Sequence, residues 1–536
     1  MGNIFQNVAV RKPKRSRFDL SHDVKLSCDM GVLVPVMNME CIPGDVIKIN
    51  HQALVRMAPM IAPLMHRLIV TIHTFFTPYR ILWPGWEDFI TRTAVGSPAI
   101  IPPIPTLNIA EADWATGGLL DYMGIPAPDP GADSHITINA FVFAAYNKIW
   151  NEYYRQQYIM NEILDELEDG DNTANITQLT LLQRRSWMHD YFTSALPFAQ
   201  KGDQVEVPLG DVEFNPNWLA DGQQPKWDID LKAGDTNTGA IDMHIGNGTP
   251  PVTNPASDPN WDGATYPQVE NTPDDPYRVA AYDPDGSLTV APITINELRR
   301  AESLQQFLEL LARGGSRYVE LIKNFFNVRP EDYRLQRPEY ICGSTTPVQI
   351  SEVLNTTGND GELPQGNMAG HGAAVVRGKG GKYVCKEHGC IISIMSVTPV
   401  TGYQQGLERH FSKRDPLDFF FPQFEGLGEQ EIKKKELYAN YFSGNDNEET
   451  FGYAPRYAEY KYMNNRVAGD FRTTLAYWHL GRVFGAPPEL NQGFIVCVPR
   501  TDIFAVEDPA AQKIYAHIGN QISASRPMRK FTIPTL

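Results

Sequence analysis

Residues 64–77 read LMHRLIVTIHTFFT, and from Ile69 to Phe76 the side chains fall into two alternating sets: Ile69, Thr71, His73 and Phe75 against Val70, Ile72, Thr74 and Phe76. An extended chain points successive side chains to opposite faces, so this pattern predicts a strand covered on one or both sides. The same period runs through residues 31–50, where Pro43-Gly44-Asp45 supplies a turn. Strand-like runs return late, at 384–397, 471–480, 493–506 and 513–522, bounded by Gly, Pro and Asn. Early and late strands with other material between them predict one β-sandwich whose sheets need both ends of the chain.

The material between is of two kinds. Residues 78–130 set Trp83, Trp86 and Trp114 among prolines that include Pro98, Pro102, Pro103, Pro105, Pro126 and Pro128, which predicts long packed loops. Residues 138–168 place Phe141, Ala145, Ile149, Glu152 and Tyr153 at helical spacing, with Asn139 as a cap, and further helices are expected at 295–311 and 316–326.

The chain has 536 residues, 42 Gly, 41 Pro, 11% aromatic and 21% charged residues, a composition that excludes disorder and collagen-like repeats. Its net charge of -16 argues against a nucleic-acid partner only if the charge is evenly spread. It is not. Residues 1–17 carry Arg11, Lys12, Lys14, Arg15 and Arg17 with no acid, whereas 211–290 hold fourteen Asp or Glu against Lys226, Lys232 and Arg278. Residues 509–536 add Lys513, Arg526, Arg529 and Lys530, again without an acid. Six cysteines are too sparse over this length for a disulfide framework and point to a reducing compartment. The opening residues lack the order of a secretory signal, Gln6 breaks a myristoylation match, and apolar runs such as 390–395 fall far short of the roughly 20 residues a membrane span needs, so no membrane insertion is expected.

The chemical constellations are weak. Cys385, His388 and Cys390, with His371 upstream, lack the second ligand pair of a zinc site, and a strand, a Glu-His-Gly turn and a second strand account for them. Gly378-Lys379-Gly380-Gly381-Lys382 has the wrong spacing for a phosphate loop and is followed by Tyr383 and a strand, which favours a hairpin tip. Hydrolase signatures are absent, and acid pairs such as Asp274-Asp275 sit in polar loop sequence that would not raise a carboxyl pKa. No catalytic residue, metal or cofactor is expected. The aromatic block at 451–462, FGYAPRYAEYKY, can stack bases or pack as a loop. The basic arm is either a solvated tail or a neutraliser of phosphates.

Several stretches together resemble the major capsid proteins of gokushoviruses, bacteriophages of the Microviridae. They include RSRFDLSHDVKLSCDMG at 15–31, MHRLIVTIHTFFTPYRILWPGWEDFI at 65–90, AYNKIWNEYYR at 145–155, DYFTSALPFAQKGD at 190–203, RLQRPEYICGS at 334–344, EHGCIISIMSV at 387–397 and DFRTTLAYWHLGR at 470–482. The resemblance runs nearly end to end and implies an eight-stranded viral jelly roll with long helical and irregular loop insertions. It further implies sixty copies in a T=1 shell around circular single-stranded DNA, assembled in the bacterial cytoplasm with an internal scaffolding protein, a small DNA-binding protein and a minor pilot protein. On this footing, 1–17 is a basic arm and 18–536 a single domain with 211–290 as an acidic surface insertion.

Arg11, Lys12, Lys14, Arg15 and Arg17 are then candidates for contact with packaged DNA, and the insertion a candidate for contact with a host cell-surface receptor. Trp83, Trp86, Trp114, Trp150 and Tyr154 are candidate subunit-interface anchors, against the alternative that each packs inside its own chain. The competing class is a carbohydrate-binding or glycosidase-like β-sandwich, which shares the strand content and the tryptophans.

Overall fold

A computed structural model describes residues 14–92, 101–129, 131, 135–203, 205–206, 212–213, 226–229, 279–282, 289–290, 294–315, 317–356, 368–442 and 446–531. Contacts divide the chain into two compact units, 1–202 with 308–536, and 203–307.

Among the described residues, two sheets of eight main strands form a sandwich in the first unit. In chain order they are β1 (Ser16–Asp19 continued by His22–Cys28), β2 (Val34–Cys41), β3 (Val46–Met57), β4 (Leu68–Pro78), β5 (Glu339–Pro347), β6 (Met368–Arg377 continued by Gly381–Val384), β7 (Gly389–Pro399) and β8 (Ile514–Arg526). All pair antiparallel, in the order β1-β8-β3-β6 in one sheet and β2-β7-β4-β5 in the other, with Gln349–Leu354 added at the edge beside β6. First strand beside last and second beside seventh is the jelly-roll order, in which a long hairpin is folded over on itself. Closing it requires both ends of the chain, as the distribution of strand-like sequence implied.

Alternation then decides the core. On β4 the even positions Leu68, Val70, Ile72 and Phe76 face the other sheet, while Phe75 and Tyr79 point outward into a second core. Strand β7 is buried along its whole length: Ile391, Met395 and Val397 lie between the sheets, and Cys390, Ile392 and Ile394 lie in the outer core. That outer core is supplied by the two long connections, β4 to β5 and β7 to β8, through Trp83, Phe141, Tyr146, Trp150, Phe192, Phe451 and Phe494.

A polar cross-link spans the sandwich interior. His51 on β3 meets Asn520 on β8 at 2.8 Å through Nδ1, and Thr74 on β4 and Ser393 on β7 at 3.1 and 3.0 Å through Nε2. Asn520 donates onward to the Val36 carbonyl at 3.0 Å, which ties in β2. One imidazole thus joins the two sheets, and every partner is needed because an unpaired polar group in this buried interior costs about 1–3 kcal/mol.

The helix expected from residue 138 is Phe141–Ile149, with the Asn139 side chain accepting from the Phe141 amide at 2.8 Å. It ends in a single wider turn, Trp150–Tyr154, and the chain beyond is irregular because Asn151 donates to the Ile163 carbonyl and to Asp165 Oδ2, both at 2.7 Å. The later helices are Ile295–Gly314 and Tyr318–Phe326.

Two expected strands do not form. Residues 471–480 make turns of 3-10 helix at Gly469–Arg472 and Ala476–Trp478, and 493–506 begin inside the helical turn Gln492–Ile495, whose Asn491 cap accepts from the Phe494 amide at 3.0 Å. Leu480, Phe494, Ile495, Ile503 and Phe504 are buried, but as irregular chain filling the cores rather than as ladder. Their apolar spacing reported burial, which short sequence patterns do not separate from strand. The hairpin tip expected at 378–382 is also absent: both halves of β6 run along β3 in the same direction, from Ala373 opposite Arg56 to Val384 opposite Val46. Gly378 sits at the break, its amide 2.8 Å from the His51 carbonyl, where a Cβ would come within 2.8 Å of the same oxygen.

In the second unit the described ladders are Val212–Glu213 with Thr289–Val290 and Lys226–Ile229 with Val279–Tyr282. Most of 211–290, and so its expected surface protrusion, lies outside the described residues.

Burial holds His51 and His66 below the ordinary histidine pKa, and takes His73 down to about 4, with Arg185 adding to the effect. The fold therefore keeps these rings neutral, while the unfolded chain protonates them near 6.5. Stability should be complete above about pH 6.5 and fall as the pH drops toward 4, measured as the denaturant midpoint of the unassembled subunit. Replacement His51→Ala should cost about 1–3 kcal/mol at pH 7.5 and remove part of the pH dependence.

Candidate assembly and nucleic-acid surfaces

The five aromatic candidates for subunit contact sit differently from one another. Trp83 and Trp150 are 1% and 3% exposed, and their indole N–H groups donate to Asp169 at 2.7 Å and to the Arg184 carbonyl at 3.1 Å. They are core residues of the single chain, with almost no area left for a neighbour to cover. Trp86 and Trp114 are half-buried, the first edge-on to Tyr79 and Phe141, the second donating to the Ile125 carbonyl at 3.1 Å. Tyr154 is half-buried, with its hydroxyl 2.9 Å from His73 Nδ1 and burial raising its pKa.

The large exposed aromatic surface lies elsewhere, on the connection from β7 to β8. Phe411, Phe419, Tyr441, Phe442, Tyr460 and Met463 are all exposed, Tyr441 and Met463 by 95% and 93%. An open groove of about 390 Å³ is lined by Phe419, Tyr460, Tyr462 and Met463 together with Arg409, Lys413 and Glu459, Lys413 lying 4.0 Å over the Tyr460 ring. The charged groups are cross-braced. Arg409 lies 3.1 Å from Glu436, Lys413 lies 2.9 Å from Glu459, and Tyr191 from the other long connection donates to Glu436 at 3.0 Å. Burial raises the Glu436 pKa, and Arg409 opposes the shift. Exposed rings on a braced frame are what an interface presents before it closes. The sequence block 451–462 divides accordingly, with Phe451 and Tyr457 in the core and Tyr460 and Tyr462 at the surface.

Pairing of β1 with β8 brings the basic chain ends together. Ser16 is opposite Arg526 and Arg17 opposite Ser525. Arg15 bonds the Gly44 and Ser525 carbonyls, and Arg17 donates to Ser523 at 2.6 Å. Lys14 is exposed, as are Arg529 and Lys530 beyond β8. Arg11 and Lys12 lie outside the described residues.

Nothing in the described residues gathers three metal-ligating side chains. Cys385 and Cys390 are buried free thiols on either side of the turn into β7, His388 packs against Trp86 at 5.8 Å, and His371 is on β6. Among the described residues no helix is long and apolar enough to cross a membrane.

Comparison with known proteins gives the frame a family. The sequence profile described as capsid protein (F protein) matches residues 6–536. The chain belongs to the phage capsid F protein family. It is 33% identical to the capsid protein VP1 of Bdellovibrio phage phiMH2K, over 97% of this chain and 95% of that protein. It is 31% identical to VP1 of Chlamydia phage 1, over 100% and 98%, and 28% identical to VP1 of Spiroplasma virus 4, over 97% and 95%. The gokushovirus resemblance of the sequence blocks is thus the family relationship, and the jelly roll is the capsid fold it implies. This is the major capsid protein of a Microviridae-type phage, a structural protein of the virion rather than an enzyme or a glycosidase-like sandwich.

Core and surface aromatics of the capsid protein should separate by assay. Trp150→Ala should destabilise the unassembled subunit by about 3–5 kcal/mol in thermal or denaturant melts. Tyr441→Ser combined with Met463→Ser should leave that melt unchanged and weaken assembly about tenfold or more, which is about 1.4 kcal/mol, read by sedimentation of particles against free subunits.

Proposed function

We propose that sixty copies of this capsid protein close a T=1 shell around a circular single-stranded DNA genome. In this reading the arm carrying Arg11, Lys12, Lys14, Arg15 and Arg17 touches the packaged DNA from inside, and the acidic insertion 211–290 meets the host receptor from outside. The observation that carries it is the register of Ser16 against Arg526. It gathers both basic chain ends at one end of one sheet, while the acidity of the sequence is concentrated in 211–290.

A cluster of cations releases counterions from DNA without reading its sequence, as packaging of a whole genome requires. Closure of a shell needs heterologous contacts whose rotation returns on itself. The exposed rings around Tyr441 and Met463 supply apolar area for such contacts, with half-buried Trp86, Trp114 and Tyr154 as further anchors. Assembly in the host cytoplasm agrees with six free cysteines. The scaffolding, DNA-binding and pilot proteins of the resemblance belong to the same proposal.

Replacing the five arm cations with Gln should produce shells of normal size that retain less DNA and lose it at lower salt, measured by absorbance ratio and nuclease protection. Unchanged DNA content would overturn the arm assignment. Deletion of 211–290 should leave assembled shells that bind host cells poorly, whereas loss of assembly would make the insertion a structural contact instead.

A further inference from the structure

Among the described residues most of one face of the sandwich is uncovered. The outer side of β4 and β7 is covered by the long connections, but the solvent side of the β1-β8-β3-β6 sheet presents Arg17, Lys25, Lys48, Arg56, Arg377 and Lys382 against the acids Asp19 and Asp23. Register places them in rows. Ser27, Tyr515, Arg56 and Ala373 form one row, Lys25, His517, Leu54 and Val375 the next, then Asp23, Gly519, Gln52 and Arg377, then Gln521 and Asn50, then Asp19, Ser523, Lys48 and Lys382, and last Arg17, Ser525, Val46 and Val384. From Tyr515 to Ser525 this strip runs about 33 Å along β8 and ends at the root of the basic arm.

At its far end lies an open groove of about 590 Å³, lined by Lys25, Leu54, Arg56, Tyr122, Tyr515 and His517. Tyr515 is 44% exposed, and Lys25, Arg56 and His517 are also exposed. Among the described residues Lys25, Lys48, Arg56, Arg377 and Lys382 make no ion pair, whereas His517 has Asp23 at 3.5 Å. Asp121, the acid in the groove wall, is engaged by the Gly117 amide at 2.8 Å. The wall itself is held: Tyr122 donates to the Ser27 carbonyl at 2.7 Å and accepts from Gln512 at 2.9 Å.

We infer that this groove binds nucleotides of single-stranded DNA, a base stacking on Tyr515 and its neighbour on His517, with Lys25 and Arg56 holding the flanking phosphates. The two rings point from one strand to one face about 7 Å apart, and each faces a cation or its row neighbour across the ladder. Rings for bases with cations for backbone is the arrangement that holds a single strand without regard to sequence. The strip of cations then leads the strand toward the arm. The inference rests on the proposed contact with packaged DNA and adds a site and a direction to it.

The test is binding of a fluorescent 20-residue oligothymidylate to the full-length subunit held below its assembly concentration, followed by anisotropy against salt. Tyr515→Ala should weaken binding about tenfold with an unchanged salt slope, and Tyr515→Phe should bind as the parent does. The pair Lys25→Gln and Arg56→Gln should lower the slope of log K against log salt by about 1.4. If Tyr515→Ala binds normally while the arm variant does not, the groove assignment is wrong and the genome contact stands. If the parent binds no oligonucleotide, both fall. Electron microscopy of DNA-filled particles gives an independent reading: nucleotide density on Tyr515 supports the site, and protein density in the groove overturns it.

Discussion

The structure depends on one demand, that β4 and β7 be covered on both faces. Their sequences alternate apolar and small polar residues without a charged side, so the sheet they centre would expose Phe75, Ile392 and Ile394 to water if the sandwich stood alone. Fully burying each such side chain contributes about 1.5–3 kcal/mol, and the jelly roll itself covers only one side. The connections from β4 to β5 and from β7 to β8 provide the other cover. They are not appendages to a finished domain but its third layer.

That demand explains the asymmetry of the subunit. Because most aromatic residues of both long connections turn inward over one sheet, the described residues leave most of the other sheet's solvent face open. Solvent-facing positions of an exposed sheet are often polar, and here cations outnumber acids among the charged ones. The connection from β7 to β8 also carries rings it does not bury, such as Tyr441 and Tyr460, the latter beside a frame of Arg409, Lys413, Glu436 and Glu459. Covering a core and presenting exposed rings are therefore done by different residues of one segment. The sandwich between them is fixed by the polar cross-link through His51, which a slipped strand would leave unsatisfied.

The legibility of these features in the sequence follows their locality. The alternation at Ile69–Phe76 is a property of consecutive residues, and the structure keeps both sets on the faces they imply. The apolar spacing at 471–480 and 493–506 is as regular, yet those residues fill gaps between layers without ladder partners. Trp83 and Trp150 gave no sign of which side of a surface they occupied, since a ring suits a core and an interface equally. Segments of β1, β5 and β6 lack a strong period because edge positions and partly covered faces tolerate polar and small residues. Tyr515 and His517 were visible as alternate positions of a strand, but the cations that flank them come from β1 and β3, some hundreds of residues away.

By itself the sequence determined the β class, the need for both chain ends, the division of charge into a basic arm and an acidic insertion, and, through blocks spread along its length, the capsid family. Each of these is a sum or a local pattern. Only the tertiary structure decided which strands pair, which aromatics are core, and which cations share a face. Those depend on register across ladders between distant segments, and a shift of one residue in any ladder would exchange the buried and exposed sets.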